Sequence, residues 1–199
     1  GEFCGDNTCL NRSMKQECPV HCNNKNLCQN QRIRKRSLVA NKVVYMGNKG
    51  FGFLTLVSLA RGDIVGEYCG EVISEQEKHR RLSSEYRHKR NFYLLDMGNN
   101  LTIDATHKGS STRFINHSCD PNAETQKWSV DGKIRVAIVA TRHIPAGSEV
   151  TFDYQFERQG SKDQKCYCGT KKCRGSLGAK RKPPSNVNDD DDDDDDDDD

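Results

Sequence analysis

No apolar run in this 199-residue sequence approaches the roughly 18 residues that a membrane-spanning helix needs. No N-terminal stretch combines a charged start, an apolar block and a small-residue cleavage site. A soluble, non-secreted protein without a membrane partner is the expectation. The sequence also lacks the G-x-G-x-x-G spacing of a dinucleotide fingerprint and the long apolar strand runs of a parallel sheet. What is present suits one main core with small appended modules, since a third of the residues are apolar.

The net charge of +2 hides a strong asymmetry. Residues 189–199 are eleven consecutive aspartates, and without them the chain carries +13. A folded part that basic points to an anionic partner such as nucleic acid or chromatin, while the acidic run cannot bury surface and reads as a disordered, solvated end. Folding back onto the basic surface and histone binding are its alternative uses. Lys180, Arg181, Lys182, Pro183 and Pro184 mark a flexible basic linker ahead of it, so the folded region is expected to end near Gly178.

Ten cysteines define the organisation. Cys4, Cys9, Cys18, Cys22 and Cys28 form C-x4-C-x8-C-x3-C-x5-C, Cys166, Cys168 and Cys173 form C-x-C-x4-C, and Cys69 and Cys119 stand alone. Without secretion, such close spacings favour tetrahedral thiolate zinc sites over disulfides. The C-terminal trio needs a fourth ligand from afar, and Cys119 is the better of the two candidates. Five N-terminal cysteines exceed one site, so Cys4, Cys18, Cys22 and Cys28 are assigned to one ion, with Cys9 awaiting partners expected upstream of Gly1.

Between the clusters short strands dominate. Ile134, Val136 and Ile138 alternate onto one face, Glu149 to Tyr154 reads as a strand with Phe152 and Tyr154 on one side, and Asp131-Gly132 and Pro145-Ala146-Gly147 mark turns. Ser74 with Glu77 forms a candidate capping box opening a charged helix through His88, its basic face either merely solvated or a nucleosome contact. Lys49-Gly50-Phe51-Gly52-Phe53 is a glycine-flanked turn open to close approach by a ligand, although alone it reads better as a plain hairpin. The basic stretch Arg32, Arg34, Lys35 and Arg36 is a candidate DNA grip.

Four motifs in fixed order resemble the SET-domain lysine methyltransferases: K-G-F-G at Lys49, E-Y-C-G-E at Glu67, R-F-I-N-H-S-C-D-P-N at Arg113 and F-D-Y at Phe152. The flanking cysteine patterns resemble the family's AWS and post-SET modules. The flanks E-T-Q-K-W-S-V from Glu124 and D-Y-Q-F from Asp153 resemble the group that methylates lysine 36 of histone H3. The resemblance implies a mainly β fold with short helices, built of small curved sheets around a knot-like core. It implies an AWS-like module over 1–36 lacking its first ligands, a SET catalytic domain over 37–157, a post-SET module over 158–178, and a disordered linker and tail over 179–199.

Position by position, the resemblance implies that Lys49, Gly50, Phe51, Asn91, Phe92, Tyr93, Arg113, Asn116 and His117 bind S-adenosylmethionine, with Gln164 and Tyr167 covering it. Tyr68, Phe92 and Phe152 would wall the lysine channel and Tyr154 would be the catalytic tyrosine. Asn91-Phe92-Tyr93-Leu94 is nearer to relatives that stop at dimethylation. Two or three structural zinc ions are implied, as are the histone H3 tail, the nucleosome and its DNA as partners, a monomer, and a nuclear, chromatin location. The alternatives are another histone lysine or a non-histone target, a catalytically silent chromatin-binding module, and a zinc-stapled nucleic-acid binder.

Overall fold

The computed structural model describes residues 4, 9–24, 27–89, 92–154 and 164–177. Asn91, residues 155–163 of the stretch after F-D-Y, Gly178, the basic linker and the aspartate run lie outside the described residues. Within them the protein is mainly β, and no helix is long and apolar enough to cross a membrane.

Short helix α1 (Leu10–Ser13) sits in the N-terminal cysteine region, followed by β1 (Asn41–Tyr45), β2 (Phe51–Thr55), β3 (Ile64–Glu67) and β4 (Glu71–Ser74). Helix α2 (Glu75–Ser83) leads to β5 (Leu94–Gly98), β6 (Leu101–Asp104), β7 (Asn116–His117), β8 (Ala123–Val130), β9 (Lys133–Ala140) and β10 (Thr151–Phe152). These strands make four small sheets: the β1–β2 hairpin, β3–β9–β8, β4–β6–β5 and the pair β7–β10. All pairings are antiparallel except β7 with β10, which run parallel for two residues. That exception brings the N-H-S-C segment against the F-D-Y segment.

The Asp131-Gly132 signal is realised as the turn between β8 and β9, both residues having positive φ (50° and 72°), which matches the right-handed strand twist. Gly147 takes φ 80° in the Pro145 turn, closed by Ser148 N–H on the Pro145 carbonyl at 3.2 Å. Strand β9 is covered on both sides along its second half. Val136, Ile138 and Ala140 join the main core around Phe53, Val65, Tyr68, Ile115 and Phe152, while Ala137 and Val139 face Ile33, Ile64, Trp128 and Val130. The expected alternation therefore holds for one face only. Ile134, assigned to that face, is half exposed near the strand's start.

The helix and one strand are shorter than the sequence suggests. Ser74 Oγ caps Glu77 N at 3.2 Å, but the Glu77 carboxylate turns to Arg80 and Arg81, so the return half of the capping box is not formed. Helix α2 stops at Ser83 rather than at His88. Ser83 and Ser84 hydroxyls both donate to the Arg80 carbonyl, competing with helical continuation, and Tyr86 turns inward to donate to Asp104 at 2.6 Å. Only Thr151–Phe152 of the 149–154 stretch is ladder-paired as a strand, with Glu149 bridging Leu54 separately.

The N-terminal region docks on the back of the β3–β9–β8 sheet. Ile33 is 1% exposed within the second core, and burial of such a side chain contributes about 1.5–3 kcal/mol. Buried Glu17 accepts the backbone N–H groups of Ile33 and Arg34 at 2.6 and 2.9 Å, and Arg34 forks onto Asp131 in the β8–β9 turn. The structure also shows how the four residues of the candidate DNA grip are placed. Arg34 is committed to that ion pair and Arg32 is partly buried, which leaves Lys35 and Arg36 as the exposed members of the basic stretch.

Candidate active site and cysteine clusters

The site grows from the parallel β7–β10 contact. Pairing Thr151 with Asn116 and Phe152 with His117 places both motifs side by side, and Ser118 N–H donates to the Phe152 carbonyl at 3.1 Å. The chain beyond β10 then brings Tyr154 N–H onto His117 Nδ1 at 3.2 Å, and the Tyr154 hydroxyl donates to the Ile115 carbonyl at 2.9 Å. The Phe152 and Tyr154 rings lie 5.0 Å apart, and Tyr154 meets the His117 ring edge-on at 5.5 Å.

Tyr68, at the end of β3, is 4% exposed in the same core. Burial, with the nearby phenols of Tyr154 and Tyr93, holds its hydroxyl above the ordinary tyrosine range. Burial likewise raises Tyr154, with Tyr93 and Glu149 adding to it. Both phenols are therefore neutral at physiological pH. They can donate hydrogen bonds and cannot serve as bases.

Around this centre the other sequence-predicted residues fall into two groups. Tyr93 N–H donates to Thr106 Oγ1 at 3.0 Å, its ring meets Phe114 at 5.7 Å, and the Arg113 guanidinium lies over both rings at 5.7 and 4.8 Å. Phe51 extends this aromatic row through Phe114 to Tyr45. Phe92 stacks on Tyr86 at 5.8 Å. On the opposite flank Asn116 Nδ2 donates to Glu149 Oε1 at 2.9 Å and to the Phe51 carbonyl at 3.1 Å, and the Lys49 ammonium pairs with the other Glu149 oxygen.

The K-G-F-G segment is both a hairpin turn and part of the site. A helical turn at Gly47–Lys49 closes β1 onto β2, and Gly50 adopts φ 77°, ψ −136°, a conformation open essentially to glycine. Gln164 and Tyr167 remain outward, Tyr167 being 46% exposed with the Lys165 ammonium 5.4 Å over its ring. Neither is hydrogen-bonded to Lys49, Asn116 or His117. Asn91 lies outside the described residues.

Open donors and flat aromatic surface at this site suit a ligand with both polar and ring-like parts. Arg113 Nη1 is held by the Ala105 carbonyl at 3.1 Å, while its Nε is buried without a partner among the described residues. The Nε atoms of Arg32, Arg34 and Arg174 are in the same state, so this donor is open to a ligand without identifying one. The aromatic row supplies flat apolar surface beside it. Lys49, Phe51, Tyr93, Arg113, Asn116 and His117 are the residues that would hold such a ligand.

Two cysteine groups stand ready for metal. Cys4, Cys18, Cys22 and Cys28 bring their sulfurs within 4.8 Å of one another, as do Cys119, Cys166, Cys168 and Cys173. Cys4–Cys22 and Cys119–Cys166 separations of 3.6 and 3.8 Å far exceed a disulfide bond and match the roughly 3.8 Å between sulfurs placed tetrahedrally about zinc at about 2.3 Å. In the first group burial opposes ionisation of Cys18, but amide donors from Asn11 and Asn30 and neighbouring thiols bring it down to about 7. Burial and Cys22 push Cys4 up to about 12. One thiolate thus blocks the next, which a dication would relieve.

Cys9 Sγ lies 3.8 Å from Cys18 Sγ, outside the foursome but adjacent to it. Cys69 joins neither group. It lines a separate cavity of about 420 Å³ with Arg36, Leu38, Glu67, Glu71 and Lys108, and burial pushes its thiol up to about 11.

The C-terminal group is wired into the site. His117 Nδ1 accepts from Tyr154 N–H, and Nε2 lies 3.3 Å from Cys119 Sγ and 3.4 Å from the Arg174 guanidinium. Burial lowers the His117 pKa, which favours the neutral ring. Arg174 donates from its backbone to Cys119 Sγ and from its guanidinium to Asp153 Oδ1 at 2.8 Å, tying the trio to the F-D-Y segment. Sequence reasoning missed the Asp153–Arg174 pair, Glu149 and Glu17. For Glu149 and Asp153 the usable signal was a carboxylate within a segment, Glu149 to Tyr154, that also supplies core side chains, where an internal cation or amide makes burial tolerable.

A mainly β domain of small sheets, closed by a parallel N-H-S-C and F-D-Y contact and flanked by two four-cysteine groups, defines the class. A family profile described as the SET domain matches residues 50–155, and the chain belongs to the SET-domain family. It is 43% identical over 183 residues to "Histone-lysine N-methyltransferase SETD2" of Homo sapiens, covering 92% of this chain and 7% of that protein. It is 41% identical to "Histone-lysine N-methyltransferase ash1" of Drosophila melanogaster, covering 89% of this chain and 8% of that protein. It is also 41% identical to "Histone-lysine N-methyltransferase, H3 lysine-36 specific" of Candida albicans, covering 89% of this chain and 21% of that protein. The chain thus corresponds to a small part of the length of these relatives.

Proposed function

We propose that this chain is a protein lysine methyltransferase that takes its methyl group from S-adenosylmethionine and acts on histone H3, at lysine 36 in nucleosomes, in chromatin. The observation that carries the reading is the β7–β10 contact, which sets Phe152 and Tyr154 beside His117 against the core that also holds Tyr68, within a SET fold. Relatives over nearly the whole chain carry histone-lysine N-methyltransferase names, including lysine-36-specific ones.

S-adenosylmethionine, when bound, supplies a methyl on a sulfonium that an amine displaces in line, a reaction that needs positioning at roughly 3–3.5 Å more than it needs an enzyme nucleophile. The chain's part is to place and neutralise the amine. A lysine has a reference pKa of about 10.4, and a channel walled by Tyr68, Phe92 and Phe152 disfavours its charged form. Neutral Tyr154, anchored through the Ile115 carbonyl, orients the lysine rather than deprotonating it. Zinc in the two cysteine groups is structural. The domain boundaries follow: a zinc module to residue 36, the catalytic domain over 37–157 and a second zinc module over 158–178. Lys35 and Arg36 are the exposed residues of the basic stretch offered to nucleosomal DNA.

Mass spectrometry of nucleosomes and of free histone H3 after incubation with the protein and S-adenosylmethionine tests this directly. Methylation at lysine 36 is expected. Methylation at another lysine would move the target but keep the chemistry, and none on any substrate would leave a silent chromatin-binding module.

A further inference from the structure

One carboxylate ties together the segments that would receive the cofactor. Glu149 lies just before β10 and is largely buried, its side chain 16% exposed. Its backbone is fixed on two sides, by the bridge to Leu54 and by Asn122 Nδ2 on its carbonyl at 2.8 Å. One carboxylate oxygen takes the Lys49 ammonium and the other takes Asn116 Nδ2 at 2.9 Å. The approach depends on Gly52 lacking a side chain, because a Cβ there would stand 3.0 Å from Glu149 Oε1 and 2.1 Å from Met46 Sδ.

The polarity of the Asn116 amide follows. A primary amide has two N–H hydrogens, and Nδ2 faces two acceptors, Glu149 Oε1 and the Phe51 carbonyl. The reversed amide would set an oxygen against two oxygens. The orientation is therefore decided by the network, and Oδ1 is left as an acceptor with no donor among the described residues. An acceptor in that place selects a hydrogen-bond donor, and a cationic donor binds it most strongly. S-adenosylmethionine has two cationic centres, and of these the sulfonium has no hydrogen to donate while the α-ammonium has three.

We propose that Glu149 is a positioning residue for the amino-acid end of the cofactor: by holding Lys49 and Asn116 it turns the Asn116 amide so that Oδ1 accepts the α-ammonium. This rests on S-adenosylmethionine being the cofactor. Lys49 then acts as the counter-charge that fixes Glu149, and its own contact with the cofactor is through the neighbouring backbone. In Glu149→Gln one side-chain oxygen must serve where two did. The new amide gives its oxygen to the Lys49 ammonium and presents N–H to Asn116, which opposes the native Asn116 amide while the Phe51 carbonyl still draws it, so Oδ1 is no longer held toward the α-ammonium.

Calorimetric binding of S-adenosylhomocysteine and of 5′-methylthioadenosine, which lacks the amino-acid end, separates this role from general loosening of the pocket. Glu149→Gln should weaken S-adenosylhomocysteine by roughly tenfold or more while leaving 5′-methylthioadenosine within about twofold of wild type. In an Asn116→Ala background the same substitution should add nothing further, since its route to the ligand is gone. Glu149→Asp, too short to hold both partners, should show the same selectivity if Glu149→Gln does not fold. Equal weakening of both ligands, or none, overturns the proposal. Failure of the wild-type protein to bind S-adenosylhomocysteine would instead overturn the cofactor reading on which it rests.

Discussion

At the N-terminal cysteine group all the clustered thiols come from one stretch of chain, Cys4 to Cys28, whereas the C-terminal group borrows Cys119 from the central domain. The first docks on the back of the β3–β9–β8 sheet through Ile33, Glu17 and Arg34, on the face of β9 opposite the main core. The second stands 3.3 Å from His117 and reaches Asp153 through Arg174. The same ligand chemistry therefore has two consequences. One group braces the fold from behind, and the other closes the site.

The largest expected effect breaks the brace. Cys18 is 1% exposed and lies between its own foursome and Cys9. A structural zinc contributes on the order of 10 kcal/mol of apparent binding free energy, so Cys18→Ser should lower the unfolding midpoint by many degrees, read by calorimetry or circular dichroism. An unchanged midpoint would mean that this group does not support the fold. A smaller change tests the docking alone: Ile33→Ala should destabilise by about 2–5 kcal/mol in chemical denaturation while leaving ligand affinity unaltered below the transition. A loss of affinity there would contradict the division between the two regions.

The site side of the comparison can be sharpened through Phe152. A tyrosine at this position adds a hydroxyl able to hold a water beside the lysine amine, and the second transfer must displace that water. An unsatisfied polar group commonly costs about 1–3 kcal/mol, equivalent to a roughly tenfold to hundredfold slower second step. The wild type should make at least dimethyl-lysine, and Phe152→Tyr should shift product toward monomethyl-lysine while keeping the first transfer. An active variant with an unchanged product ratio in time-resolved mass spectrometry would remove Phe152 from the channel.

A gentler effect is expected with pH. Because the burial-raised phenols of Tyr154 and Tyr68 keep their protons through the ordinary tyrosine range, kcat/KM should climb as the substrate lysine loses its proton. No descending limb should appear below about pH 10, the reference tyrosine value. A fall between pH 8 and 9 would show that a neighbouring ionisation, not the lysine, controls the rate.

Much of this was legible in the sequence, and what was not has physical reasons. The Asp131-Gly132 turn, the Ser74 cap, the cysteine patterns and the aromatic pair Phe152 and Tyr154 are local signals, and each is visible within a few residues. The early end of α2 was hidden because it depends on Tyr86 finding Asp104 across the sheet, a contact between residues on separate elements. The second buried face of β9 was hidden because its cover, Ile33, comes from another module. Glu149 and the Asp153–Arg174 pair were missed for the same reason: a buried carboxylate is explained only by partners that the chain brings from far away. The pairing of Arg34 in the basic stretch with Asp131 was hidden in the same way, because the two residues are brought together from distant parts of the chain.

The direct test of the division between brace and closure is calorimetric affinity for S-adenosylmethionine in Cys173→Ser set beside Cys18→Ser, each measured at a temperature where it is folded. Cys173→Ser should bind at least tenfold more weakly with the central sheets intact, while Cys18→Ser should bind like the wild type despite its lower stability. Wild-type affinity in Cys173→Ser, or an equal loss in both variants, would contradict the account.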